Sequence, residues 1–397
     1  MTRRSPQEHG LSDAAGTAPL SGIRVVELEA MGPVPFAGMM LAGLGADVIR
    51  IDRAVRRKGD PKYPLLARGK RSVGLDLRNP ADLELAGDLF TRADVVLDGF
   101  RPGVLERLGL DPEVSLRRNP RLVFGRMTGW GQDGPLAPAP GHDINYLALA
   151  GALHPIGPGD APPAPPLNLV ADFGGGGMLL VVGVLAALQA RAVTGRGQVV
   201  DAAMVDGAAL LTTMVREMRA AGTWSLERET NLVDGGAPFY RCYATSDGKY
   251  VAVGAIEHRF YLDLLNGLGL DAESPAEQWD QSRWPAVRDR FAAVFAGLTR
   301  QEWDIRFRDT AACVTPVLDL DEAPEHPHNQ ARAVFGADDG YPLPAAAPRF
   351  SAGRVGFPTD VATRGEHTDE VLEQWLGSSR AATSQALPQP DHTHSKE

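Results

Sequence analysis

The chain has 397 residues, with 50 acidic side chains against 40 basic ones, a formal net charge of −10, 44 % hydrophobic residues and 23 % charged residues. That length predicts two domains with cores of useful size, and the composition excludes a disordered chain. The acidic balance excludes a dedicated nucleic-acid binder, and two cysteines, Cys242 and Cys313, exclude a disulfide framework and point to reduced thiols in a cytoplasmic protein.

Residues 1–18 read as a polar, flexible leader with no apolar run before a small-residue cleavage site, so no signal peptide is expected. Strand and helix then alternate. Ile23 to Leu28 reads as a buried strand, Phe36 to Leu44 as an apolar helix ended by Gly45, and Ala46 to Ile51 as a second strand. Pro80 opens a helix to about Thr91, since proline is tolerated in a first helical turn, and Asp94 to Leu97 and Leu122 to Gly125 follow as strands. This alternation predicts an α/β fold whose parallel sheet is covered on both faces. Gly174 to Leu188 is the longest apolar stretch, at 15 residues. It falls short of the ~18–20 that a membrane span needs, so a buried helix and no membrane span are expected.

The pattern changes after a helix near Val205 to Ala221. A hairpin around Ser246-Asp247-Gly248-Lys249 and mostly helical segments predict a smaller α+β domain. The boundaries drawn are 19–225 for the large domain, 226–335 for the small one, 336–379 for a return segment and 380–397 for a flexible tail. The return segment ends in an amphipathic helix, Thr368 to Leu376, and the tail carries His392 and His394 as solvated side chains.

The usual phosphate loops fail. Gly69-Lys70 has Pro64 and Arg71 where a P-loop needs Gly and Ser or Thr, and no G-x-G-x-x-G follows the first strand. Residues 50–71, however, carry nine basic side chains against Asp52 and Asp60, an excess of +7 against −17 for the rest of the chain. Arg53 and Arg101 each follow a strand end, where parallel sheets place ligands. Three carboxylate or imidazole positions stand out. His142-Asp143 opens an apolar helix, where Asp143 could also be a simple N-cap. Asp172 precedes four glycines and a second apolar helix, again with an N-cap as the plain alternative. Glu257 ends the apolar strand Tyr250 to Val253.

Taken together, these segments resemble the α-methylacyl-CoA racemases of the family III CoA-transferase superfamily. The likeness runs over about residues 19–376. It is carried by Gly43-Leu44-Gly45-Ala46-Asp47-Val48-Ile49-Arg50-Ile51-Asp52-Arg53, Arg68-Gly69-Lys70-Arg71-Ser72, Met127-Thr128-Gly129-Trp130-Gly131-Gln132, Gly141 to Tyr146, Asp172-Phe173-Gly174-Gly175-Gly176 and Asp234-Gly235-Gly236-Ala237-Pro238. The resemblance implies a Rossmann-like large domain with a parallel sheet, a smaller α+β domain and an interlocked homodimer whose active site is shared between subunits. It implies interconversion of (R)- and (S)-2-methylacyl-CoA thioesters through an enolate. His142 (on the (S) face) and Asp172 would be the opposed acid–base groups, with Glu257 as the carboxylate partner of Asp172. Acyl-CoA would be bound by Arg53, Gly74-Leu75-Asp76-Leu77, Arg101 and Gly141-His142-Asp143-Ile144-Asn145-Tyr146. No cofactor and no metal are implied, because CoA is part of the substrate.

Two departures from the family pattern lie near these groups: Val34 stands where glycine is usual, and His258 where proline commonly follows the glutamate. The alternative chemistry is CoA transfer between carboxylic acids, with Asp143 as the nucleophile that forms a covalent anhydride.

Overall fold

The computed structural model describes residues 18–53, 64–270, 275–338, 341–353, 355–357 and 361–377. The leader up to residue 17, the basic segment 54–63 and the tail from 378 lie outside them. The chain divides into two compact units, one of Met1–Pro140, Asp172–Met204 and Gly336–Glu397, the other of Gly141–Ala171 and Val205–Phe335.

The first unit is built on six strands: β1 (Arg24–Leu28), β2 (Asp47–Asp52), β3 (Arg71–Gly74), β4 (Val95–Asp98), β5 (Val123–Thr128) and β6 (Val199–Ala203). They lie in the order β3-β2-β1-β4-β5-β6, and every pairing is parallel. Val25, Val26, Leu28 and Val95 to Leu97 have no accessible surface, which is why the central strands read as continuous apolar runs. β3 and β6 carry no such signal. β3 is four residues long and follows a charged segment, and β6 is half exposed along its first three residues. Helices α1 (Pro33–Gly43), α2 (Pro80–Arg92), α3 (Val104–Leu108) and α4 (Pro112–Arg118) follow β1, β3 and β4. Asn79 starts α2 by accepting the Ala81 N–H at 2.9 Å, with Pro80 at the first helical position. The strand order reverses between β1 and β4, so the crevice beyond their C-terminal ends is where this sheet type takes a ligand.

Residues 141–171, including helix α5 (Asp143–Ala150), belong to the second unit. The chain then enters a wide, π-helical segment, Leu169–Met178, continued by α6 (Leu179–Thr194). The apolar helix thus starts five residues before Gly174 and runs 26 residues, long and apolar enough to cross a membrane by length and composition. In the fold α6 lies along the sheet. Leu180, Val181, Val184 and Ala187 are buried, and the Arg191 guanidinium pairs with Asp94 at 2.9 Å.

The second unit continues with α7 (Met204–Leu211), which begins at the last residue of the first unit, and α8 (Thr213–Ala220). The hairpin is β7 (Tyr240–Ala244) with β8 (Tyr250–Gly254), antiparallel and joined on its other edge by β9 (Val314–Pro316). Helices α9 (His258–Leu268), α10 (Trp284–Phe295), α11 (Arg300–Phe307) and α12 (Pro327–Ala331) complete it. Its core is aromatic: Phe239, Tyr243, Tyr261, Phe291, Phe295 and Trp303 interlock, with Tyr243 stacked on Phe295 at 4.9 Å. The polar ends of Tyr243 and Trp303 are satisfied by the backbone. Tyr243 donates to Pro238 O at 2.6 Å and Trp303 Nε1 to Phe295 O at 2.8 Å, so their burial leaves no lost hydrogen bond.

A two-stranded ribbon, β10 (Phe335–Asp338) with β11 (Tyr341–Pro344), precedes the last helix, α13 (Thr368–Leu376). Val371, Leu372 and Trp375 of α13 join the core of the first unit. At its start His367 N–H donates to Ser72 O and Thr368 Oγ1 accepts the Gly74 N–H, both at 2.9 Å.

Candidate active site

Asp172 sits inside the π-helical segment rather than at a helix cap. Four successive glycines without Cβ atoms let the backbone open into a wide turn, a device common at functional positions. The segment packs on the start of α1. A Cβ built on Gly32, the N-cap of α1, would lie 3.6 Å from Asp172 Oδ2. The rings of Phe36 and Phe173 meet at 4.9 Å, tilted by 47°. A Cβ on Gly177 would fall 2.9 Å from Pro33 O and 2.7 Å from Phe36 Cδ1, so only glycine permits this approach. The half-buried Asp172 carboxylate therefore stands beside the N-terminus of α1, just past β1 and hence at the switch of strand order. A helix N-terminus favours negative charge there.

In the second unit His142 is the N-cap of α5 and is exposed, while Asp143, the first helical residue, is 4 % exposed. Asn145 Oδ1 accepts the His142 N–H at 3.1 Å, which closes the first turn from the side-chain side. The Asp143 carboxylate accepts the Ala171 N–H at 2.7 Å, tying the start of α5 to the residue that precedes Asp172 in sequence. Gly141 is half buried, Ile144 and Asn145 are exposed, and Tyr146 is buried.

Glu257 is the exposed N-cap of α9, with His258 exposed beside it as the first helical residue. Its backbone carbonyl accepts from Phe260 and Tyr261 N–H. Its negative charge acts on the Cys313 thiol. Burial first and this negative charge second raise that thiol above its ordinary pKa. Both cysteines are free thiols. The three acid–base candidates are divided between the units: Asp172 in the first, His142 and Glu257 in the second.

The residues expected to meet acyl-CoA in the first unit are placed as follows. Arg53 is 38 % exposed and holds Glu29 through Nη2 at 2.8 Å, with its own N–H on Glu29 Oε2 at 3.1 Å. Arg364 shares that carboxylate at 2.8 Å. Gly74 and Leu75 are buried at the end of β3, Leu77 is half buried, and Asp76 is bound by Arg78, which lowers its pKa to about 2. Arg101 is exposed and has no ion pair among the described residues. Most of the described charges in the basic excess are spent internally: Arg50 on Asp52, Lys70 on Glu27, Arg71 on Asp47 and Glu370. Arg68 stacks on Phe357 at 4.8 Å. Net charge along a segment therefore overstated the free positive surface. Arg56, Arg57, Lys58 and Lys62 lie outside the described residues.

Sequence reasoning passed over Glu27, Glu29, Arg126 and Arg364. One signal was available: a glutamate in the middle of Val25-Val26-Glu27-Leu28, a run that must be buried, requires a cation nearby. Asp98 is of the same kind. It ends β4 at 1 % exposure, its Oδ1 accepts the Phe100 N–H at 2.8 Å, and Arg126 Nε approaches Oδ2 at 3.3 Å. Burial outweighs these bonds and raises its pKa to about 6. Between pH 4 and 6 the folded state then holds a proton that the unfolded state has released, so this group's contribution to stability is present below pH 4 and lost as pH rises through 6. Urea denaturation of Asp98→Asn against the parent is expected to move in the variant's favour by about 3 kcal/mol between pH 4 and 7. A pH-independent difference would refute that assignment.

The sequence matches the model of CoA-transferase family III over residues 20–368. The α-methylacyl-CoA racemase of Mus musculus is 46 % identical over 358 residues, covering 90 % of this chain and 93 % of that one. The α-methylacyl-CoA racemase of Homo sapiens is 45 % identical over 364 residues, covering 91 % and 94 %. A crystal structure of a CAIB/BAIF family protein from Brucella suis superposes with a TM-score of 0.77 at 25 % identity, covering 91 % of this chain and all of that one. A Rossmann-type sheet order, the Asp172 turn at its switch point and a family match over nearly the whole described chain agree, and the chain belongs to CoA-transferase family III, as an enzyme of that family.

Proposed function

We propose that this enzyme is a racemase of 2-methylacyl-CoA thioesters, working by proton transfer through an enolate. The observation that carries the choice over CoA transfer is the pair at the start of α5. A nucleophilic Asp143 would have to reach a thioester carbon, but the residue is 4 % exposed and its carboxylate is engaged by the Ala171 N–H, whereas the adjacent His142 is exposed. The 45–46 % identity to two α-methylacyl-CoA racemases supports the same choice.

On this reading the thioester carbonyl acidifies the α-hydrogen. His142 removes it from the (S) epimer, and Asp172, entering protonated, delivers a proton to the opposite face; the (R) epimer runs the steps in reverse. Two groups are needed because one base returns the proton to the face it left. The first-turn N–H groups of α5 hold the enolate oxygen. Glu257 is the carboxylate that completes the pair with Asp172, supplied by a second copy of the chain. Arg53, residues 74–77 and Arg101 bind the CoA portion. An interlocked homodimer accords with the apolar side chains left exposed at Met178 and on α6 (Val182, Val193), and on α7 and α8 (Leu210, Leu211, Met214).

The test is a single 2-methylacyl-CoA epimer in deuterated water. Deuterium at the α-carbon with loss of optical purity, and no dependence on an added carboxylic acid, is expected. CoA moving only when an acceptor acid is present, with no deuterium incorporated, would overturn the reading.

A further inference from the structure

Beneath α1 lies a buried ion pair. Glu27, in the middle of β1, and Lys70, one residue before β3, are 0 % and 1 % exposed at the side chain, with Nζ 2.5 Å from Oε2. The second Glu27 oxygen, Oε1, has no hydrogen-bond partner among the described residues. Burying two charges costs several kcal/mol of hydration each, and well-packed apolar residues of the same volume are often as stable or more so. Packing alone therefore gives no reason for the pair.

Its direction does. Lys70 Nζ also donates to Pro35 O at 2.8 Å, a carbonyl in the first turn of α1. Gly38, one turn on, is where the carboxylate fits: a Cβ there would stand 1.8 Å from Glu27 Oε2. That same first turn is the surface on which the Asp172 segment rests, through Gly32, Pro33 and Phe36. Apolar contacts let a helix slide or rotate over a sheet by fractions of an ångström. A charge-assisted bond from a fixed ammonium to one helix carbonyl does not.

We propose that Glu27 and Lys70 are positioning residues for Asp172: the pair fixes the first turn of α1, and that turn sets where the Asp172 carboxylate stands. This rests on the reading of Asp172 as an acid–base group. A displaced Asp172 leaves the enolate to be reprotonated by His142 on the face it came from. The (S) epimer then exchanges its α-hydrogen with solvent but does not invert.

The experiment uses the double variant Glu27→Leu/Lys70→Met, which removes both charges together so that neither is left unpaired. It follows deuterium wash-in and inversion of one (S)-2-methylacyl-CoA by mass spectrometry and chiral chromatography. The expected result is a melting temperature at or above the parent's, wash-in within about threefold of the parent, and inversion slower by roughly ten- to a hundredfold, the scale of a misplacement of about 1 Å. Parental inversion, or an equal fall in both rates, overturns the proposal. If the double variant does not fold, Gly38→Ala, whose Cβ displaces the Glu27 carboxylate, and Phe36→Leu, which loosens the contact to Phe173, take its place. Both are expected to lower inversion more than wash-in, and a proportional loss in both overturns the proposal. Absence of wash-in from either epimer in the parent enzyme overturns the acid–base reading itself, a failure distinct from the other two.

Discussion

Asp172→Asn is expected to lower inversion of an (S)-2-methylacyl-CoA by roughly 10²–10⁴-fold, the range over which a positioned acid–base group acts. The amide keeps the shape and the place beside Gly32 but can neither release nor take the proton. Wash-in from the (S) epimer survives, because His142 still removes the proton and exchanges it with solvent through its exposed ring. Wash-in from the (R) epimer, whose hydrogen faces Asp172, is lost. His142→Ala is expected to give the mirror image, with exchange kept for (R) and lost for (S). Four exchange rates from mass spectrometry and two inversion rates from chiral chromatography decide the matter. Equal loss of exchange from both epimers in either variant would mean that one group serves both faces, and the two-base mechanism would fall.

The second large effect is on stability. Lys70→Met is expected to destabilise the fold by about 3–5 kcal/mol, because it strands the Glu27 charge at 0 % exposure with no partner. Glu27→Leu strands Lys70 instead. The two single variants are distinguishable by the sign of their pH dependence. Burial already raises Glu27 above 4.5 and lowers Lys70 below 10.5, and losing the partner removes the opposing attraction. In Lys70→Met the folded state holds a proton on Glu27 that the unfolded chain releases at 4.5, so stability falls as pH rises from 4.5 to the raised value. In Glu27→Leu the folded state has shed the Lys70 proton that the unfolded chain keeps up to 10.5, so stability rises with pH between the lowered value and 10.5. Urea unfolding at pH 5, 7 and 9 checks both slopes. Slopes of the same sign would refute the assignment of the two charges.

How much of this was legible beforehand depends on the kind of signal. Strands β1, β2, β4 and β5 announce themselves because parallel strands covered on both faces must be apolar throughout. β3 and β6 do not, because each lies at one end of the sheet and is held by backbone pairing and neighbours distant in sequence. The hairpin β7–β8 is written in Ser246-Asp247-Gly248-Lys249. The place of Asp172 in a wide turn was half legible. Four glycines predict close approach, but nothing local says whether the helix starts before or after them. The basic stretch shows the opposite limit. Charge can be counted along a chain, whereas its cancellation by Glu27, Asp47 and Glu370 depends on tertiary neighbours as far as 299 residues away.

The seam between β3 and α13 bears on the order in which the chain can be made. β3 is the outermost strand of the sheet, and at its edge the Gly74 N–H donates to Thr368 Oγ1 and the Ser72 carbonyl accepts from the His367 N–H. An unanswered strand edge is a template for another strand. As the chain emerges during synthesis, almost 300 residues must follow β3 before its partner arrives. For that whole interval the nascent first unit carries a sticky edge, so the last helix works as a built-in clasp, and premature termination anywhere upstream of Thr368 leaves the edge open.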